Sequence, residues 1–348
     1  MRNKVTIQDI ADALGISRNT VSKAINNSGG LADATRDKIL QKAVEMGYKQ
    51  FSYISAAASA ARDAAPETPA APAFQGEIAL FTTVFLTKPH FASLMLDTFQ
   101  QEILQLGYMM NTHRVTEANL RDGTLPITFR AEQVKAIICI EMFHREYDEM
   151  VCGLGYPVLF VDGPARRGGY SLPADQLYMD NSIEIARFIH DAMKRGERRV
   201  GFIGNPYHCE SFYERYLAFA YALQMEGSTV DERFCIRYNH TDDIIEHLYT
   251  LDELPDLFIC ANDFVAGDAI RALFSLGKTV PEDVRILGFD DSTESRRSRP
   301  TMSSIHIHTQ IMASEAIHLL MSRIREPSLP FRTVYTQTEL IERESTQR

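Results

Sequence analysis

The chain has 348 residues and a mass of 39.3 kDa, with 45% hydrophobic residues and a formal net charge of −10. That is room for a small domain plus a large globular body, and it excludes a chain disordered outside its linkers. Residues 1–50 hold eight Lys/Arg against five Asp/Glu, a local +3 that leaves −13 on the remainder, so the basic end suits a polyanion and the acidic body does not.

The first predicted element runs from Thr6, a residue type that N-caps helices, with Asp9 in the first turn and Ile7, Ile10, Ala11 and Leu14 at helical spacing. Gly15 ends it, and Ile16 turns an apolar side chain back under the turn. Ser17 caps a second helix on which Val21, Ala24 and Ile25 face the first, leaving Arg18, Asn19, Ser22, Lys23 and Asn26 on the other side. This pattern is a helix-turn-helix. Arg and Asn pair bidentately with guanine and adenine edges, and Thr6, Ser17, Thr20, Ser22 and Asn26 are suited to DNA phosphates or to the rim of that face. The structural alternative is a plain helical hairpin with a solvated outer face.

Val5 to Tyr48, ending in Ala43-Val44-Glu45-Met46-Gly47-Tyr48, resembles the headpiece of the LacI/GalR family of bacterial transcription regulators. The resemblance implies that Arg18, Asn19 and Lys23 read bases. A third helix is expected over Asp33–Met46, closing the small core through Ile39, Leu40, Ala43 and Val44, with Ala32 standing where the family usually has a Ser cap. Residues 1–50 are thus expected to form the DNA-binding headpiece.

Residues 51–75 read as hinge and linker, rich in Ala and Pro, with Pro66, Pro69 and Pro72 and almost no large apolar residue between 55 and 73. The family's hinge helix wedges a Leu into the minor groove. Here Phe51-Ser52-Tyr53-Ile54 has no Leu, and Ile54 is the one aliphatic wedge candidate.

Residues 76–348 alternate short apolar runs with amphipathic stretches. Buried parallel strands are expected at Ile78–Phe81, Tyr108–Asn111, Ala136–Ile140, Val158–Asp162, Val200–Ile203, Leu257–Cys260 and Ile286–Phe289. Helices are expected at Phe91–Leu106, Ile183–Lys194, Tyr213–Gln224, Phe264–Leu276 and Ile311–Ile324. This is a doubly wound α/β pattern with too many strands for one sheet, hence two lobes with a ligand cleft at the strands' carboxyl ends. The resemblance continues through Tyr178-Met179-Asp180-Asn181 as a lobe crossover, Gly196–Gly204, Ala261-Asn262-Asp263, Pro281–Asp291 and Ile341–Thr346. It implies a two-lobed, periplasmic-binding-protein-like effector and dimerisation domain. The absence of a heptad extension after Thr346 leads to a homodimer as the expected assembly.

By position, Asp162, Arg215, Asn262, Asp263 and Asp290 match the family's polar effector contacts, and carboxylates and a guanidinium can each hold two vicinal hydroxyls of a sugar. Phe85, Phe91, Tyr207, Phe212 and Tyr238 are candidates to cover the apolar sugar face. Each has a bland alternative: Asp263 and Asp180 as helix caps, Asp290 as a turn brace, the aromatics as core. Ala218 stands where the family commonly has Gly.

No G-x-G-x-x-G, Walker loop, H-E-x-x-H or G-x-S-x-G occurs, and Asp290 and Asp291 are adjacent and would point apart, so neither catalysis nor a cofactor is expected. Cys139, Cys152, Cys209, Cys235 and Cys260 include no C-x-x-C and read as reduced core thiols; the scattered His residues suggest no metal site. With no apolar stretch of membrane-span length and no secretory signal at the N-terminus, a cytoplasmic protein without a membrane partner is expected. The expected function is a dimeric, sequence-specific DNA-binding regulator, a repressor of carbohydrate-utilisation genes. Its partners would be a pseudo-palindromic double-stranded operator and a sugar-like effector. The alternatives are a regulator sensing a purine or other metabolite, and a DNA-binding dimer that takes no ligand.

Overall fold

The computed structural model describes residues 6–25, 35, 38, 39, 42, 43, 46, 73–84, 91–166, 171–238 and 240–347. The chain divides into two compact units, Met1–Ala71 and Pro72–Arg348. The expectations placed on Asn26, Ala32, Asp33, Leu40, Val44, Ile54, the linker and Phe85 lie outside the described residues.

In the first unit α1 (Ile7–Leu14) begins at a capping box: Thr6 Oγ1 accepts the Asp9 N–H, and the Asp9 carboxylate accepts the Thr6 N–H at 2.7 Å. Gly15 closes the helix at φ 64°, with open space around the position a Cβ would take, so glycine is needed for its backbone and not for room. The Ile16 N–H then reaches back to the Ala11 carbonyl at 3.1 Å, and Ile16 packs against the small core. In α2 (Arg18–Ile25), Ser17 Oγ accepts the Thr20 N–H at 3.1 Å. Ile10, Ala11, Val21, Ala24, Ile39 and Ala43 are fully buried together, and Thr35, Lys38, Ile39, Lys42 and Ala43 are helical, in register with the expected third helix.

The second unit starts with β1 (Gly76–Thr82), α3 (Phe91–Gln105), β2 (Tyr108–Arg114), α4 (Glu117–Asp122), β3 (Val134–Ile140), α5 (Arg145–Cys152), β4 (Val158–Val161) and β5 (Asp175–Met179). After α6 (Ile183–Lys194) come β6 (Val200–Ile203), α7 (Glu210–Met225), β7 (Cys235–Ile236), α8 (Thr241–Tyr249), β8 (Leu257–Cys260) and α9 (Asp263–Ser275). The chain ends with β9 (Arg285–Asp290), α10 (Thr293–Arg297), β10 (Ser303–Ile307), α11 (Thr309–Arg325), β11 (Thr333–Thr336) and β12 (Thr338–Ile341). The seven expected strands and five expected helices are all present, but β2 is an edge strand with none of Tyr108–Asn111 buried, against the expectation of a buried one; β5, β7, β10, β11, β12 and the short helices α4, α5, α8 and α10 were not foreseen.

The strands form two six-stranded sheets, ordered β11-β5-β4-β3-β1-β2 and β12-β10-β9-β8-β6-β7. All pairs are parallel except β10 with β12. Every residue of β1, β4, β6 and β8 is buried, as a sheet covered by helices on both faces requires. The chain passes between the sheets after β5, after β10 and between β11 and β12. Two of these crossings brace each other: the Asp180 N–H donates to the Thr336 carbonyl at 2.7 Å, and Thr338 Oγ1 donates to the Asp180 carbonyl at 3.0 Å. The Asp180 carboxylate also accepts the Ser182 and Ile183 N–H groups, so it starts α6, one of the roles weighed for it.

Candidate DNA-contacting face and effector cleft

On the headpiece, Arg18, Asn19 and Lys23 are exposed on one side of α2, opposite the buried Val21 and Ala24. The neighbouring hydroxyls do local work: Ser17 and Thr20 bond each other at 2.7 Å at the cap, and Thr6 is tied to Asp9. Ser22 is half-buried. The long cationic and amide side chains are therefore the groups this surface presents outward.

In the body, the carboxyl ends of strands from both sheets surround a cavity of about 300 Å³. Val84, Phe91, Glu141, Phe143 and Asp162 line it from the first lobe; His208, Cys209, Ser211, Phe212, Arg215, Asn262, Phe264 and Asp290 line it from the second. This is where a doubly wound sheet leaves room for a ligand. Glu141, Asp162 and Asp290 follow or end β3, β4 and β9 with φ of 57°, 59° and 105°. Left-handed backbone at a non-glycine residue costs energy and clusters where a side chain must be aimed.

Arg215 is buried against this triad. Its Nε donates to Asn181 Oδ1 at 2.8 Å and its Nη1 to the Ala261 carbonyl at 2.6 Å, with Asp290 Oδ1 3.8 Å away and the Phe289 ring centroid 3.5 Å from its guanidinium carbon. Asn181 is itself fixed by donating to Glu214 at 2.8 Å. Burial pulls the Arg215 pKa down while Asp290 opposes it. Burial likewise lifts Asp290 well above the carboxylate range; Arg215 opposes, and Asp263, Glu141 and Asp162 add to the rise. Glu141 is pushed up to about 7 by burial and then by Asp162. His208 is pushed down by burial, with Asp162 opposing.

Two bonds across the cleft involve the Asp162 turn: Asp162 Oδ1 accepts the Ser211 N–H at 3.2 Å, and the Gly163 carbonyl accepts the Glu210 N–H at 2.9 Å. Arg166 adds an ionic tie, its Nε donating to Glu210 at 2.6 Å and its Nη2 to Glu214 at 2.9 Å. Among the described residues no cluster of His, Cys, Asp or Glu is arranged to hold a metal ion, and no helix is long and apolar enough to cross a membrane.

The structure gathers Asp162, Arg215, Asn262 and Asp290, with Phe91 and Phe212, into one cavity. Three expected contacts lie elsewhere. Asp263 is fully buried behind the wall, accepting from Ser304 Oγ at 2.6 Å and from the Ser292 N–H at 2.7 Å. Tyr238 points its hydroxyl at the Asp268 carboxylate. Neither lines the cavity, and nor does the half-exposed Tyr207. The expectation for Asp263 and Tyr238 is corrected accordingly: the first side chain is spent bracing β10 and the start of α10 against α9, the second is spent on a neighbouring helix. Asn262 is both wall and N-cap of α9, its Oδ1 accepting the Val265 N–H at 3.0 Å. Glu141, Phe143, His208, Ser211 and Phe264 were missed, although Glu141 follows a buried apolar strand just as Asp162 does.

Comparison with known proteins accounts for both units. Residues 6–50 match the model of bacterial regulatory proteins of the lacI family, and residues 190–346 match a periplasmic binding protein-like domain. The chain thus joins a lacI-family helix-turn-helix domain to a periplasmic binding protein-like domain. It is 26% identical to the HTH-type transcriptional regulator CelR of Thermobifida fusca, covering 99% of each chain. It is also 26% identical to GalR of Lacticaseibacillus casei over 98% of this chain and 99% of that one, and 24% identical to the ribose operon repressor of Bacillus subtilis over 99% of each. Solved LacI-family structures share the fold: a CelR–cellobiose complex with a TM-score of 0.68 at 22% identity, covering 98% of this chain and 100% of that one. A lac repressor dimer bound to operator and the anti-inducer ONPF has a TM-score of 0.64 at 17% identity, covering 99% and 100%. Like its LacI-family relatives, the protein is a DNA-binding transcription regulator.

Proposed function

We propose that this regulator is a homodimeric repressor of carbohydrate-utilisation genes whose hold on a pseudo-palindromic operator is set by a sugar-like effector in the cleft. The observation that carries the reading is the convergence of Asp162, Arg215, Asn262 and Asp290 with phenylalanine rings in a cavity of about 300 Å³, on a chain that also carries an outward Arg18-Asn19-Lys23 face. Carboxylates accept from sugar hydroxyls, the guanidinium and the Asn262 amide nitrogen donate to them, and Phe91, Phe143, Phe212 and Phe264 offer apolar surface to the ring's C–H face.

Two headpieces on one dimer would contact two half-sites, taking affinity from phosphates and specificity from Arg18, Asn19 and Lys23. A ligand that binds the closed cleft better than the open one shifts the lobe arrangement, and by linkage shifts operator affinity by the same coupling energy. Catalysis has no part in this scheme.

Selection of bound sites from randomised duplex DNA with the full-length protein tests the reading. Enrichment of a pseudo-palindrome, with binding altered by cellobiose, galactose or ribose, is the expected result. A lone half-site overturns the dimeric mode. An operator complex insensitive to sugars but sensitive to hypoxanthine replaces the sugar with a purine.

A further inference from the structure

The acids of the cleft outnumber its cations. Glu141, Asp162 and Asp290 each sit at a strand end in left-handed backbone and line one small cavity, and Asp263 lies just behind it. Among the described lining residues Arg215 is the single permanent cation, and two of its donors are already spent on Asn181 and Ala261. Its surroundings disfavour the charged form of His208. The effect is mutual across the cavity: Asp162 disfavours ionisation of Glu141, and both disfavour that of Asp290.

We infer that this cleft selects an uncharged, hydroxyl-bearing ligand, rejects its phosphorylated or carboxylated counterpart, and owes that selection chiefly to Glu141. A neutral polyol donates hydroxyls to these carboxylates whatever their protonation. An anion in the same space must either face them charged or force protons onto them. Glu141 is the member with the most leverage. Asp162 is tied to the Gly163 and Ser211 N–H groups and Asp290 has Arg215 beside it, whereas the charges coupled to Glu141 are those of Asp162 and Asp290, both acids. This deepens the effector reading and rests on it.

Discrimination has a pH signature. The facing titratable and charged groups are Asp162 at the end of β4, Asp290 at the end of β9, and His208, Cys209 and Arg215 at and in α7, with Asp263 at the start of α9 behind. Burial holds Cys209 protonated. Lowering the pH from 8 to 6 protonates Glu141, whose carboxyl titrates at about 7, so an anion is rejected less at pH 6 than at pH 8.

The test is isothermal titration of the full-length protein with matched pairs: glucose and glucuronate, galactose and galacturonate, ribose and ribose 5-phosphate, cellobiose and cellobionate, inosine and inosine 5′-monophosphate. The parent is expected to prefer the neutral member of any pair it binds by about a hundredfold at pH 8 and by less at pH 6. Glu141→Gln, which keeps the shape, and Glu141→Gly, which suits the left-handed backbone, are both expected to narrow the preference about tenfold at pH 8. An anionic member that binds the parent as tightly as its neutral partner overturns the inference, as does a preference unchanged in both variants. Binding confined to the inosine pair overturns the sugar reading alone, with charge selection still judged by the ratio within that pair. No binding by any member overturns both.

Discussion

Asp148 offers a sharp test of how the first lobe is held. It sits on α5 with no exposed surface, and neither carboxyl oxygen has a hydrogen-bond partner. Burial, then the nearby Glu146 and Glu149, push its carboxyl from the ordinary value of 3.8 up to about 8. The folded protein therefore keeps a proton that the unfolded chain releases above about pH 4. Stability from this group is fully present below that pH, is lost progressively as pH rises toward 8, and changes no further above it. Each tenfold difference in proton affinity is worth about 1.4 kcal/mol, so the full displacement sets a ceiling near 5–6 kcal/mol, which local relaxation and water entry reduce to about 2–4 kcal/mol. Asp148→Asn removes the ionisation while keeping the shape. Thermal unfolding of parent and variant should coincide within about 1–2 °C at pH 5 and separate by roughly 4–8 °C at pH 8, the variant melting higher. A gap that is the same at both pH values, or a variant that melts lower at pH 8, would refute the claim that Asp148 is held protonated without a partner.

Arg18→Ala should cost about 1–3 kcal/mol of operator affinity and relax one base position, read by repeating the site selection with the variant. Arg215→Met should keep operator binding within a few-fold but abolish its response to sugar, with a loss of about 3 kcal/mol in urea unfolding because Asn181 Oδ1 and the Ala261 carbonyl are left buried without their donor. A variant that responds to sugar with unchanged affinity would remove Arg215 from the ligand site. Gly288→Ala places a Cβ on Asp263 Oδ1, which is pinned by Ser304 and Ser292, so a loss of about 2 kcal/mol in denaturant unfolding is expected; no loss would mean that Asp263 moves freely.

The residues by themselves determined the headpiece, because everything that specifies it is local. Thr6 and Asp9 close a box three residues wide, Gly15 supplies a backbone angle that other residues resist, and Ile10, Ala11, Val21 and Ala24 fall at helical spacing. The same holds for Val200–Ile203, Leu257–Cys260 and Ile183–Lys194, whose observed bounds match their apolar patterns residue for residue. β10 was illegible for the opposite reason: Ser303, Ser304 and His306 read as surface, and the two serines are buried only because Arg343, Asp263 and Thr346 arrive from elsewhere in the chain to bond them.

At the cleft, residue type and position located the strand ends but not the direction each side chain takes from them. Asn262 and Asp263 are adjacent, yet one lines the cavity and the other turns into the wall, because the Ser304 hydroxyl and Ser292 N–H lie on that side. Glu141 follows its strand as Asp162 does, and only the left-handed turn after β3 and the approach of the second lobe make it part of the same acidic set. The pairing of β11 with β5, and the meeting of Asp290 with Glu141 and Asp162, were decided by contacts between segments more than a hundred residues apart. No spacing in the chain encodes these, since the energy that selects them appears only once both lobes are folded and water has left the space between them.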